Sequence, residues 1–318
     1  MTILRSFQRH LTILIAATVL TACNSASTTP AVPAAAEAHR PVRPSWIDSA
    51  AKHGALLYIS DLDASTVLVY TYPGLKPAGT LSGFSSPAGL CVDPRSGNVW
   101  VTDTLKSDVV EFAHGGTTPI KTLTDGEGYV GACAVNPLNG DVAIVNNTVG
   151  GDDPGNVVIF PAGSGTPVTY SDRHVLVMDF AAYDPQGNLF VDAQWYGHHG
   201  RLRLDELPSG AKKLINVPWE GPKIYRGSNV QYVDGSLAVG DGTTGTVYRT
   251  SGGSVTGKTI INGACYVEQF FIERKSLIVP TFCSDSSGEI LIYDYPAGGN
   301  AVKSLTGFEF PFGVAVSR

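Results

Sequence analysis

Apolar residues recur at every second position in short runs, and each run stops at Gly, Pro, Asn or Asp. Such alternation predicts strands with one buried face, and the stops are turn chemistry. From residue 54 onward the same phrases return. One is an alternating strand that ends in a Gly- or Pro-containing turn: VLVYTYPG at 67–74, VVEFAHGG at 109–116, VVIFPAGSG at 157–165, LRLDELPSG at 202–210, TVYRTSGG at 246–253 and ILIYDYPAGG at 290–299. Aligned on their turns, Tyr70, Phe112, Phe160, Asp205, Tyr248 and Tyr293 become equivalent, at steps of 42, 48, 45, 43 and 45 residues. Asp205 alone breaks the aromatic pattern.

A second phrase precedes each copy: an apolar strand, a tight turn and another strand. Examples are 89–103 (GLCVDPRSGNVWVTD), 132–146 (ACAVNPLNGDVAIVN), 181–192 (AAYDPQGNLFVD) and 230–241 (VQYVDGSLAVGD). Asp-Pro or Asn-Pro followed by Gly-Asn or Gly-Asp supplies hairpin dihedrals. Four short antiparallel strands in about 45 residues is the period of a β-propeller blade. The chain ends set the number of blades. Residues 54–85 hold three later strands without an inner one, while 311–318 (PFGVAVSR) is a lone inner strand worded like 87–94 (PAGLCVDP). Pairing them predicts an all-β, six-bladed propeller of four-stranded antiparallel blades, its ring closed by the C-terminal strand joining the N-terminal blade. The alternative, a two-domain sandwich suggested by length, leaves those incomplete ends unexplained.

The phrases Pro87-Ala88-Gly89-Leu90-Cys91-Val92-Asp93 and Gly187-Asn188-Leu189-Phe190-Val191-Asp192 resemble six-bladed propellers of the NHL-repeat kind, over roughly residues 54–318. Where that family carries Asn-x-Arg-Val before the third strand, this chain has Ser107-Asp108-Val109. The chain looks most like poorly characterised bacterial lipoprotein propellers, a resemblance that implies an address and no reaction.

The N-terminus carries that address. Arg5 and Arg9 precede a ten-residue apolar run, Leu11 to Leu20. The run is too short to span a bilayer and fits the core of a secretory signal. Leu20-Thr21-Ala22-Cys23 then resembles the lipobox of bacterial lipoproteins, which implies cleavage before Cys23 and its acylation. A multiply acylated Cys anchors firmly in a membrane. Asn24 lacks the acidity that this family uses for inner-membrane retention, so a two-membrane cell would place the protein in its outer membrane. Residues 1–22 are therefore expected as signal peptide, 23–45 as the lipidated Cys with a flexible tether rich in Ala, Pro, Ser and Thr, and 46–318 as the propeller. Net charge across all 318 residues is −6, which argues against a nucleic-acid partner. A monomer is expected.

Five cysteines less Cys23 leave four, an even number in an oxidising compartment. Four allow three pairings. Cys265 and Cys283 flank the turn at residues 273–276 symmetrically, which predicts one disulfide across a hairpin. Cys91 and Cys133 fall one position apart on neighbouring inner strands, which predicts the other. Buried free thiols are the alternative.

Repeats also separate structure from function: what every blade carries is structural, and a departure is where chemistry can be grafted. Asp61, Asp103, Asn146, Asp192 and Asp241 recur at second-strand ends and read as loop-fixing acceptors. Near the start of the inner strands, Ala88, Gly131, Asp179, Asn229, Glu268 and Phe312 align on Asp93. Asp179, Asn229 and Glu268 thus stand on three successive blades where others carry small or apolar groups. Converging oxygens of this kind suit Ca²⁺ or Mg²⁺, and gluconolactonase-type propellers hold a divalent metal at that place. Trp195, Tyr196 and His198 lie in a long aromatic loop suited to stacking on a ligand. Two functions stay open: a cell-envelope scaffold binding a protein or small molecule, and a metal-dependent lactonase-type hydrolase at the central channel.

Overall fold

The computed structural model describes residues 44–126, 128–149, 153–195, 201–283 and 288–318. They form an all-β ring of six antiparallel blades. From inner to outer strand, blade two is Pro87–Val92, Val99–Asp103, Asp108–Phe112 and Pro119–Thr124. Blade three is Gly128–Val135, Val142–Val149, Asp153–Phe160 and Val168–Ser171; blade four is Val175–Tyr183, Leu189–Trp195, Leu202–Leu207 and Ile215–Val217. Blade five is Gly227–Val233, Ser236–Asp241, Thr246–Ser251 and Ser254–Ile260. In blade six the inner strand is broken into Tyr266–Val267 and Phe271–Glu273, followed by Ser276–Phe282, Gly288–Asp294 and Lys303–Phe308.

Blade one closes the ring. Its inner strand is Pro311–Ser317, paired antiparallel with Leu56–Asp61, then Thr66–Thr71 and Pro77–Leu81. A short outermost strand, Trp46–Ile47, pairs with Pro77–Leu81 and gives this blade a fifth member. Buried Val, Ile, Leu and Ala from adjacent blades fill the gaps between sheets. Phe112 and Tyr293 are among the largest buried side chains, and burying one such ring contributes roughly 2 kcal/mol. Both expected disulfides form. Cys91–Cys133 ties the inner strands of blades two and three across a Cα–Cα distance of 5.7 Å. Cys265–Cys283 closes blade six, where Tyr266 pairs with Phe282, so the cysteines next to that pair face each other.

Cross-strand pairing fixes which residues are equivalent. On the second strands Leu57, Val99, Val142, Leu189, Leu237 and Leu277 share one register. Their third-strand partners are Tyr70, Phe112, Phe160, Leu207, Thr250 and Tyr293. Leu207 and Thr250 thus take the places expected for Asp205 and Tyr248. Asp205 instead shares the register of Leu68, Val110, Val158, Tyr248 and Leu291, all apolar or aromatic. The lower-face hairpins carry the turn chemistry read from sequence: Gly97, Gly140 and Gly187 sit at φ of 75°, 77° and 82°, conformations glycine adopts without strain.

Candidate functional site at the upper mouth of the channel

Inner-strand partners of the same register are Val316, Val92, Val135, Tyr183, Tyr232 and Ile272. Four residues nearer the upper face, where inner strands begin, lie Phe312, Ala88, Gly131, Asp179, Ser228 and Glu268. Asp179 and Glu268 hold the expected register. Asn229 does not: it sits one residue lower, beside the level of Gln269. The slip arises in the hairpin. Blade five turns through two residues, Asp234 and Gly235, with Val233 paired to Ser236, so Val233 and not Asp234 matches Asp93.

These side chains are already engaged. Asn229 Nδ2 donates to the Phe270 carbonyl at 2.6 Å, pinning blade five to blade six. Glu268 accepts from Arg226, which stands just before the inner strand of blade five. The ring of Tyr266 covers that guanidinium, its centroid 5.3 Å from Cζ. Asp179 accepts from Gln194 Nε2 at 3.1 Å and from Asn147 Nδ2 at 3.4 Å. Burial pushes the Asp179 carboxyl up to about 6, against the pull of Gln194 and Arg226, with Glu268 adding to the rise.

Asp192 departs further from its expected role. Asp61, Asp103 and Asp241 do fix loops: Asp61 accepts from the Glu309 and Phe310 amides, Asp103 from Ser85 and Ser86, Asp241 from Thr243 and Thr244. Asn146 donates instead, to Asp125 at 2.7 Å and Asn156 at 2.9 Å. In blade four that register belongs to Ala193, because Leu189-Phe190-Val191-Asp192 is one residue shorter than Val99 to Asp103. Asp192 lies at the level of Ser60, Thr102, Val145, Gly240 and Pro280, pointing into the gap between blades. It is fully buried. Oδ1 accepts from the Phe180 amide at 2.6 Å, while Oδ2 has no hydrogen-bond partner. A Cβ on Gly227 would lie 2.4 Å from Oδ2, so the glycine makes room for the carboxyl. Burial first, and the charge of Asp179 second, push Asp192 well above the usual carboxylate range.

Aromatic side chains ring the same mouth. Tyr225, Tyr266 and Tyr129 are 53%, 49% and 40% exposed on the loops and strand starts of the upper face. Tyr225 packs on Arg201, with its centroid 6.0 Å from Cζ. Trp195 ends the second strand of blade four, where its ring lies 5.8 Å from Arg203 Cζ. Arg203 in turn bridges Asp172 at 2.7 Å and the buried Asp205 at 2.9 Å. Tyr196, His198 and Cys23 lie outside the described residues. Sequence patterning missed Arg226, Gln194, Tyr225 and Tyr266 because they stand in or beside loops that the repeat does not constrain. The aromatic-basic pair Tyr225-Arg226 just ahead of an inner strand was the one available signal.

At the level of Asp179 and one residue below it, Phe312 and Phe180 from opposite blades meet with centroids 6.1 Å apart. Gln269 reaches past blade one to the Leu90 amide and carbonyl at 2.8 and 2.7 Å. A cavity of about 500 Å³ opens on the lower face, lined in part by Asp93, Arg95, Asn229, Gln231, Gln269 and Glu273. Its polar side chains are largely committed: Arg95 to Asp93, Gln231 to the Ile272 backbone, and Glu273 to Arg318.

A divalent cation does not fit the donors at Asp179, Asn229 and Glu268. Arg226 already neutralises Glu268, Asn229 spends its amide on blade packing one level down, and among the described residues no three His, Cys, Asp or Glu side chains are placed to hold a metal.

No protein-family model and no curated protein matches the sequence. Solved structures do. A chain from the crystal structure of a nidogen/laminin complex superposes with a TM-score of 0.69 at 11% identity, covering 83% of this chain and 99% of that one. A protein of unknown function from Bacteroides caccae superposes with a TM-score of 0.62 at 10% identity, covering 83% and 99%. This chain is a six-bladed β-propeller. At such identities the likeness is one of fold alone, and fold carries no reaction.

Proposed function

We propose that this chain is an exported, lipid-anchored propeller of NHL-like kind that binds a ligand or partner through the upper mouth of its channel. The carrying observation is the set of half-exposed tyrosines on the upper face, Tyr225 and Tyr266 beside the Arg226–Glu268 pair and Tyr129 at the start of the blade-three inner strand, with Asp179 on the inner strand of blade four. Tyr and Arg are the side chains that dominate binding hot spots, since they bring large contact area at low entropic cost. The lipobox at Cys23 supports envelope residence, and two disulfides agree with an oxidising compartment. Loops on a rigid ring suit binding, because the scaffold holds them while their sequences vary.

A photo-crosslinking residue tests the site in the native envelope. Placed at Tyr225 or Tyr266, it should capture a discrete ligand or partner that the same residue at Val168, on the outer rim of blade three, does not. Equal labelling at all three positions would remove the mouth from consideration. For the anchor, Cys23→Ser should abolish incorporation of labelled palmitate; retained label would refute it. Metal analysis of the purified protein addresses the hydrolase alternative, which requires a stoichiometric divalent ion lost on Glu268→Gln.

A further inference from the structure

The ligand at the upper mouth can be narrowed by its charge. Three acids, Asp179, Asp192 and Glu268, stand on blades four and six, and among the described residues Arg226 is the one base in direct contact with any of them. Glu268 takes that base. Asp179 faces the channel with hydrogen bonds from two neutral amides and, among the described residues, no ion pair. Behind it, Asp192 is fully buried with Oδ2 unpartnered. Alternation along the strand puts Asp192 and Gln194 on one face, and the unsatisfied carboxyl, packed against Gly227, lies close enough to feel the charge of Asp179. With Asp192 holding its proton and Glu268 paired to Arg226, the carboxylate of Asp179 is the one of the three acids whose charge no ion pair answers among the described residues.

Arg226 displays the recognition that this half of the mouth lacks: a cation held between a carboxylate, Glu268, and the face of Tyr266. Tyr225 and Tyr129 present further exposed rings, and an aromatic face attracts organic cations. An anionic ligand would meet the unpaired carboxylate of Asp179. A neutral polyol would leave Asp179 uncompensated.

Resting on the reading of the mouth as a binding site, we propose that it accepts an organic cation, a primary ammonium or guanidinium group, whose N–H donors satisfy Asp179 beside the tyrosine rim. The group can come from a free polyamine or from a lysine or arginine side chain of a partner. Arg201, stacked on Tyr225, is the nearby cation that limits how much further positive charge the rim takes.

Calorimetry on the full-length protein in detergent tests this with three probes: 1,5-diaminopentane, a short lysine-containing peptide and neutral 1,5-pentanediol. Both ammonium probes should bind and the diol should not. Tighter binding of the peptide points to a partner's side chain, and tighter binding of the diamine to a small molecule; either supports the cation site. Asp179→Asn should weaken the ammonium probes at least tenfold. Should that variant fold poorly, wild-type protein supplies the second reading. Because Asp179 titrates near 6, affinity should fall about tenfold from pH 7.5 to pH 5 as the carboxylate is protonated. Binding of the diol as tight as the diamine, or ammonium affinity unchanged in Asp179→Asn and flat with pH, overturns the proposal. Crosslinking at Tyr225 that persists while no ammonium probe binds would refute the cation and leave the mouth as a site; loss of both would remove both.

Discussion

Blades two and four are built on the same register and use it in opposite ways. In blade two, Thr102 and Asp103 end the second strand. Thr102 caps the Gly89 carbonyl, and Asp103 accepts from two loop amides while pairing with Lys106 at 3.1 Å. Every polar atom there answers another. In blade four the carboxylate has moved one residue back, to Asp192, and Ala193 stands where the loop anchor would be. Two levels below Ala193, on the neighbouring third strand, an apolar register carries Asp205, held by Arg203. A regular blade spends its polar groups on its own turns. Blade four holds them between sheets and at the channel, a placement that costs stability and is kept where a site needs it.

Four changes sharpen that contrast, in falling order of effect. Arg203→Met should be the most damaging, by about 4 kcal/mol, because it strands the buried Asp205 and half-strands Asp172. Adding Asp205→Leu should recover most of the loss, since five other blades are apolar at that register; denaturant unfolding reads both. Asp103→Ala in blade two should cost about 3 kcal/mol by orphaning the Ser85 and Ser86 amides. The reciprocal Ala193→Asp should change stability by less than 1 kcal/mol either way, because the loop of blade four is not arranged to meet it.

The third change is pH. Asp179 and Asp205 are raised to about 6, and burial also raises Asp192 well above the usual carboxylate range, so across this interval the folded chain binds more protons than the unfolded one. Stability contributed by those protons is full near pH 4 and declines as pH rises through about 6. Asp93 and Asp172 are lowered, by hydrogen bonds and charge from Arg95 and from His174 and Arg203, so their contribution is lost only below about pH 4. Thermal unfolding across pH 3 to 8 should therefore peak on the acid side of neutrality. Asp192→Asn is read by its pH dependence: its stability relative to wild type should rise with pH, and a constant difference would show that Asp192 does not hold its proton.

The architecture was written plainly in the chain because turns are local. Gly97, Gly140 and Gly187 announce their hairpins, and the orphan inner strand at 311–318 could pair only with the blade that lacked one. Both disulfides followed from the same spacing. The errors share a cause as well. Asp234 looks like Asp93 in sequence, yet one sits in a two-residue turn and the other opens a longer loop. That difference moved Asn229 off the level of Asp179 and put Ser228 there. Asp205 and Asp192 slipped likewise, since their level is set by the unbroken pairing that starts at Leu189 and Leu207 and not by the wording of the turns. Arg226 and the tyrosines lie where no repeat operates, and only the folded ring brings them together.

Ring closure has a temporal side. Ser60 meets the Gly313 amide across 253 residues of sequence, so Leu56–Asp61 keeps a bare inner edge until the last strand is made. Unpaired edges invite pairing with other chains. A chain crossing a membrane N-terminus first would carry that open edge into the far compartment well before its partner arrives. The burden on chaperones should therefore fall on blade one, and a circular permutant that begins at residue 311, with its inner strand made first, should aggregate less during folding than the natural order.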